Sequence, residues 1–157
     1  MQTLVLGIGN TLLSDEGVGV HAIRALAQDH PHLDNVEFMD GGTLSFTLAG
    51  EIEDSRELIV IDAAELGHPP GTVQVFEGEQ MDAFLGSNRK RSVHEVGLLD
   101  LMAVAHLAGH LPQRRALIGV QPDKVDWGDS PTEAVARAIP HACTRALELI
   151  TTWREST

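Results

Sequence analysis

Apolar positions along this chain alternate between two spacings, one typical of strands and one typical of helices. Five short runs rich in aliphatic and β-branched residues predict strands. They are residues 3–8, 35–39, 57–61, 72–76 and 116–120. Residues 57–61 (Glu-Leu-Ile-Val-Ile) are apolar enough to be covered on both faces. Residues 72–76 alternate with polar neighbours, which predicts an edge strand.

Helical spacing of apolar residues separates these strands. It predicts helices over residues 15–28, 93–108 and 131–154, and a short one over residues 45–52. Strands that alternate with helices indicate an α/β architecture with a largely parallel sheet and helices on both faces. The chain has no repeat and no linker, so residues 1–157 are expected to form a single domain.

The charge balance and the cysteine count limit the kinds of binding partner and the cellular compartment that are expected. The 23 acidic residues outnumber the 11 basic ones, and the net charge of -12 disfavours nucleic acid and anionic membranes as partners. Cys143 is the single cysteine, which excludes an internal disulfide and fits a reducing compartment. The first apolar run is interrupted by Gly7, Gly9 and Asn10, so it reads as a strand rather than a signal peptide. We therefore expect a cytoplasmic protein, with a monomer as the default.

The segment Ser14-Asp15-Glu16-Gly17 opens the first predicted helix. Ser14 as an N-cap, followed by two acids in the first turn, has a sufficient structural explanation. Gly17 and Gly19 do not, because each costs about 1 kcal/mol relative to alanine inside a helix. Their presence suggests that something approaches this segment closely. A functional carboxylate and a purely structural one are equally well supported here.

The turn Gly7-Ile-Gly-Asn10 raises a dinucleotide interpretation. Leu12 stands where that fingerprint needs its third glycine, and the acids at positions 15 and 16 would repel phosphate. Asp40, at the close of the second strand, could take the role of the ribose-binding acid. An NAD-dependent oxidoreductase is therefore the third-ranked hypothesis.

Acidic residues also stand where the second and third strands end, at the sheet edge that is expected to hold Glu16. These are Asp40 and Asp62, of which Asp62 is the better ligand candidate because its strand is the more buried. Ser92 and Glu95 form a capping box, which leaves His94 at the second helical position, where the helix dipole keeps imidazole neutral. Glu16, Asp62 and His94 would make an exchangeable metal site, suited to zinc or nickel rather than calcium.

Other candidates have simpler explanations. His106 and His110 are four residues apart, but they precede a helix exit marked by Gly109 and Pro112, where positive charge complements the dipole. Cys143 lies in an apolar helical frame and is predicted to be a core residue. No Gly-x-Ser-x-Gly elbow occurs, and Leu98 stands where a His-Glu-x-x-His zinc motif needs its second histidine.

The same residues carry a family resemblance, spread in order over residues 3–122. The chain is similar to the hydrogenase maturation proteases in five segments: residues 7–19 (GIGNTLLSDEGVG), 40–43 (DGGT), 59–64 (IVIDAA), 92–98 (SVHEVGL) and 119–122 (GVQP). The resemblance implies a three-layer α/β/α sandwich with a twisted, mostly parallel five-stranded sheet. It also implies an endopeptidase that removes the C-terminal extension of a [NiFe] hydrogenase large-subunit precursor.

Within that resemblance, Glu16, Asp62 and His94 match the metal-binding positions. They would contact nickel already installed in the precursor, with zinc or another divalent ion as a surrogate, so that cleavage reports on metal loading. Asp40 matches a further motif acid. In one route the metal activates water and Asp40 is the general base, and in a second the metal only docks the precursor. A non-catalytic nickel-binding maturation partner is the second-ranked hypothesis, since it would use the same three ligands.

Overall fold

The computed structural model describes residues 2–42, 48–87 and 93–156, and of residues 93–96 it describes the backbone only. The described residues form one five-stranded sheet in the order β2-β1-β3-β5-β4. All neighbouring strands are parallel except β4, which runs antiparallel to β5. The strands are β1 (Thr3–Ile8), β2 (Val36–Gly42), β3 (Glu57–Ala63), β4 (Val73–Glu77) and β5 (Arg114–Val120).

Helices cover both faces of this sheet, because its central strands carry apolar side chains on both sides. The helices are α1 (Val18–Asp29), α2 (Leu48–Asp54), α3 (Glu79–Ser87), α4 (Val93–Leu107) and α5 (Glu133–Glu155). One apolar core joins the sheet to α1 and α5, and the other joins it to α2, α3 and α4. The expected three-layer α/β/α fold is therefore confirmed. Among the described residues, no helix combines the length and apolarity needed to cross a membrane.

The predicted characters of β3 and β4 are confirmed, and two strands run past their predicted ends. β3 is central and buried along its whole length, and β4 lies at the sheet edge. β2 and β3 each continue past their predicted ends. Asp40 and Asp62 consequently lie inside strands that still form ladder hydrogen bonds, so their backbones are held by the sheet rather than by a turn.

The start of the first helix was predicted wrongly. Residues Ser14–Gly17 form a 3₁₀ turn, α1 begins at Val18, and no side chain caps it. Ser14 has a positive φ of 49° and its hydroxyl donates to the carbonyl of Asp126 at 2.9 Å. The local pattern predicted that the Ser14 hydroxyl caps the helix, but the hydroxyl instead binds a residue more than one hundred positions away in the sequence.

Two further differences concern helices. α3 was not predicted, because it is short and begins directly after β4. The short helix expected over residues 45–52 is observed as α2, beginning at Leu48. Residues 45–47, Thr43 of the DGGT motif and Ser92 of the capping box lie outside the described residues.

Candidate active site

Three parallel strands bring the candidate acids to one edge of the sheet. Gly7 of β1 is in register with Asp40 of β2 on one side and with Ile61 of β3 on the other. Strands lie about 4.8 Å apart, so the backbones of Asp40 and Ile61 are separated by about 10 Å across β1. Asp62 follows Ile61 and is 1% exposed. The backbones of Asp40 and Asp62 therefore lie at the same edge of the sheet, with β1 between their strands.

The two acids nevertheless belong to opposite faces of the sheet. Ile61 packs into the core beneath α1 and α5, whereas Leu58 and Val60 pack into the core beneath α2, α3 and α4. Side chains alternate along a strand, so Asp62 projects to the α4 side. Asp40 pairs instead with Arg24 of α1. The sheet edge therefore separates the Asp40 side chain from that of Asp62.

Glycines place Glu16 over the ends of β1 and β3. A Cβ on Gly19 would lie 2.1 Å from the carbonyl oxygen of Ile61, and one on Gly9 would lie 2.0 Å from the carbonyl oxygen of Glu16. Only glycine allows the 3₁₀ turn and the start of α1 to approach the strands so closely. The close approach that the glycines suggested is thus made by the protein's own backbone. It puts half-buried Glu16 at the strand end that carries Asp62.

Asp15, the neighbour of Glu16, is fully buried and has a structural role. Four donors reach its carboxylate: the N–H groups of Asp123 (2.8 Å), Lys124 (3.0 Å) and Thr132 (2.6 Å), and the Thr132 hydroxyl (2.8 Å). Burial on its own would raise the pKa of Asp15, but these donors favour the charged form and hold the pKa below its usual range. Through these hydrogen bonds Asp15 holds the loop of residues 121–132 against the 3₁₀ turn.

An open cleft of about 330 Å³ lies on the Asp40 side of the edge. It is lined by Gly9, Asn10, Thr11, Leu12, Val20, Arg24, Asp40 and Gly42. The Asp40 carboxylate accepts from the N–H of Gly42 at 2.9 Å and lies 3.5 Å from the Arg24 guanidinium. Both charged side chains remain largely accessible to solvent. A carboxylate held at the wall of an accessible cleft is suited to contact a bound peptide.

His94 lies at the second position of α4, but its side chain is outside the description. α4 is 15 residues, or ~22 Å, long and ends near the start of β5, so its first turn lies toward the carboxyl edge of the sheet. This is also the face to which Asp62 projects. Among the side chains that are described, no three His, Cys, Asp or Glu groups are close enough to hold a metal ion, and His94 is not among those side chains. The three-ligand site remains a prediction.

The other histidine pair lies at the opposite edge. His106 lines a separate cavity of about 370 Å³ together with Arg115 near the start of β5. The helix ends as predicted, with Gly109 at a φ of 77° and the N–H of His110 donating to the carbonyl of Ala105 at 2.9 Å. The position of His106 and His110 at the end of α4 therefore agrees with the explanation preferred above, that positive charge there complements the helix dipole.

Cys143 is partly buried, which agrees with the structural role predicted for it. It packs against the core beneath α1 and α5, and its thiol donates to the carbonyl of Ala22 at 3.5 Å. Burial first, and then the charge of Asp29, raise the pKa of this thiol to about 11. A thiol so reluctant to ionise is a poor nucleophile.

Sequence patterns assigned no role to two residues near the site, Arg24 and Gln121. Arg24 is the ion-pair partner of Asp40, and only the packing of α1 on the sheet brings the two together. Gln121 is buried and joins two loops: its side-chain carbonyl accepts from the N–H of Leu66 at 2.6 Å, and its amide donates to Glu65 at 3.2 Å. Two signals for Gln121 were present in the sequence, its position just after the last strand and its place in the family-like segment of residues 119–122.

The fold is an α/β/α sandwich with polar residues gathered at the carboxyl edge of its sheet, the place where open α/β sheets bind their ligands. Comparison with known proteins makes the class specific. The hydrogenase maturation protease family model, HycI, matches residues 20–149. The chain belongs to the hydrogenase maturation protease family, and it is therefore a peptidase.

Individual relatives agree along nearly the whole chain. HupD of Rhizobium leguminosarum bv. viciae, a hydrogenase expression/formation protein, is 40% identical over 96% of this chain and 74% of its own length. The hydrogenase 2 maturation protease of Escherichia coli K12 is 34% identical over 94% of this chain and 89% of its own. The solved structure of the hydrogenase maturating endopeptidase HybD from E. coli superposes with a TM-score of 0.87, covering 99% of this chain and 94% of that one at 34% identity. The [NiFe] hydrogenase maturation protease HybD of Thermococcus kodakarensis gives 0.80 at 30% identity, with 95% and 99% covered.

Proposed function

We propose that this protein removes a C-terminal extension from the large-subunit precursor of a [NiFe] hydrogenase. The family assignment supports proteolysis over the non-catalytic nickel-binding partner and over the NAD-dependent oxidoreductase. The turn after β1 also weakens the oxidoreductase, because α1 does not start directly after the glycines as the dinucleotide fingerprint requires: a 3₁₀ turn intervenes and its Glu16 backbone packs against Gly9.

We further propose that Glu16, Asp62 and His94 recognise nickel that arrives as part of the substrate. The observation that carries this step is the contact of Gly19 with the Ile61 carbonyl, which holds the Glu16 turn against the end of β3 beside Asp62. The topology of α4 directs its first turn, and hence His94, to the same edge. Two carboxylates and one imidazole suit nickel or zinc and leave coordination positions for groups of the precursor.

Asp40 is our candidate for a catalytic role, and its position suggests a division of labour. Asp62 and α4 belong to one face of the sheet edge, and Asp40 with its cleft belongs to the other. A precursor docked by its metal on the α4 side could lay the scissile segment across the edge into the cleft. There the Asp40 carboxylate could accept a proton from an attacking water, while Arg24 holds the carboxylate in place.

We place this reaction in the cytoplasm. The single cysteine is a free, partly buried thiol, which fits a reducing compartment.

The test is the intact mass of a large-subunit precursor after incubation with this protein. Nickel-loaded and nickel-free precursors would be compared, with Asp40→Asn as the variant of the candidate base. Loss of a C-terminal peptide from the loaded precursor alone would support metal-gated cleavage. Equal cleavage of both forms would contradict nickel recognition, and no cleavage of a verified client would contradict the proposed function.

A further inference from the structure

Exposed apolar side chains collect next to the cleft. The large hydrophobic residues that are exposed among the described residues are Leu12, Val104, Leu107, Val125 and Trp127. Trp127, at 82% exposed, and Val125 lie on the loop of residues 121–132, and Leu12, at 58% exposed, lies on the turn after β1. Scattered single apolar residues are ordinary on a protein surface, but a tryptophan that is almost fully exposed beside a candidate active site is not.

Backbone hydrogen bonds join these two segments. The N–H of Gly128 donates to the carbonyl of Leu12, and the N–H of Ser14 donates to the carbonyl of Gly128, both at 2.9 Å. Leu13 and Gly128 therefore pair as parallel strand residues, which sets Leu12 opposite Trp127. We call Leu12, Val125 and Trp127 the Trp127 patch.

The loop that carries Trp127 is held firmly. Asp15 binds both ends of it through the N–H groups of Asp123 and Thr132, and the Ser14 hydroxyl binds the carbonyl of Asp126 at 2.9 Å. A fully buried carboxylate thus serves to fix a loop whose largest side chain faces water. Such pre-organisation lowers the entropic cost of binding a partner.

The patch is continuous with the cleft, since Leu12 also lines the cleft that contains Asp40. Acidic side chains surround it, because Asp123, Asp126 and Asp129 are exposed on the same loop, with Lys124 as the one exposed base there. An apolar surface with an acidic border fits a segment that carries an apolar side chain and basic neighbours.

Resting on the proposed function, we propose that the Trp127 patch docks an apolar, basic-flanked segment of the hydrogenase precursor next to the stretch that enters the cleft. A second copy of this chain fits less well. An exposed indole offers on the order of 200 Å², whereas a stable interface buries about 800 Å² per partner. The patch therefore supplements a contact made elsewhere, and the cleft beside it supplies that contact.

The test compares Trp127→Ala with Leu107→Ala in steady-state processing of the nickel-loaded precursor. Leu107 is 85% exposed, on the helix end far from the cleft, and is the matched control. We expect Trp127→Ala to raise KM at least about tenfold with little change in kcat, and Trp127→Phe to restore most of the affinity. Leu107→Ala is expected to match wild type in both constants. Thermal unfolding of each variant would verify the fold, and Trp127→Arg gives a second variant that a basic segment should tolerate least.

A direct binding measurement separates this proposal from the proposed function. Trp153 is buried, so quenching of tryptophan fluorescence by acrylamide reports mainly on Trp127. Protection of Trp127 by the precursor without cleavage would support the patch and contradict the proposed protease activity. Cleavage by wild type with an unchanged KM in Trp127→Ala would overturn the patch and leave the activity standing. A dimer of wild type that becomes a monomer in Trp127→Ala would also overturn it, by assigning the patch to a second copy.

Discussion

The carboxylate of Asp15 accepts hydrogen bonds from both the backbone N–H and the hydroxyl of Thr132, which lies 117 residues further along the chain. The N–H contact measures 2.6 Å and the shorter hydroxyl contact 2.8 Å. The residue before α5 is thereby tied to the residue before Glu16. This short segment holds residues with two different roles, since Asp15 anchors a distant loop and its neighbour Glu16 is a proposed ligand of the substrate metal.

Asp15→Asn should destabilise the fold. The variant keeps the shape of the side chain but loses the charge that strengthens its hydrogen bonds, and it sets an amide N–H₂ against donors. We expect the free energy of unfolding to fall by about 2–4 kcal/mol. Urea denaturation would measure the loss. Asp123→Asn, an exposed change on the same loop, is the control and should lie within about 0.5 kcal/mol of wild type.

The lowered pKa of Asp15 predicts a loss of stability in acid. Because the folded-state pKa lies below the unfolded one, the unfolded chain takes up its proton first as the pH falls. The stabilising contribution is complete above the unfolded pKa, and it is lost progressively below about pH 4 as the pH approaches the folded pKa. Urea titrations at several pH values should give a steeper acid dependence for wild type than for Asp15→Asn. Equal slopes would show that Asp15 does not contribute.

Gly19→Ala should displace the turn that carries Glu16. Its Cβ would lie 2.1 Å from the Ile61 carbonyl and 2.4 Å from that of Ile8, and both are backbone atoms with little freedom to move. We expect a loss of roughly 3 kcal/mol or more in the free energy of unfolding, with reduced processing in any folded fraction. Gly50→Ala in α2 is the control, because nothing lies within 4 Å of its Cβ. It should leave stability unchanged or raise it by up to about 1 kcal/mol.

His94→Ala should abolish processing without unfolding the protein, because its proposed role is to bind the metal of the substrate. Activity below about 1% of wild type is expected, with an unchanged far-ultraviolet circular dichroism spectrum. His106→Ala is the matched control on the same helix and should process the precursor normally. If the His106 variant lost as much activity as the His94 variant, the choice of histidine would be wrong.

Sequence periodicity was sufficient for the elements whose apolar pattern is strong. β1 was predicted to its exact bounds, and β3 was recognised as central because every residue that follows its charged start is apolar up to Asp62. α3 was not predicted, because nine residues with only a weak apolar pattern do not distinguish a helix from a loop. The motif residues could be placed near one sheet edge because the carboxyl ends of parallel strands share an edge.

The sequence by itself determined the α/β class, the acidic surface and the identity of the residues at the carboxyl edge, since all of these follow from local pattern. Only the tertiary structure decided what each residue touches. It made Ser14 a loop anchor instead of a cap, separated Asp15 from Glu16 in role, paired Arg24 with Asp40, and put Asp40 and Asp62 on opposite faces of the sheet. These outcomes depend on contacts between segments far apart in the chain, and no local spacing of residues carries information about such contacts.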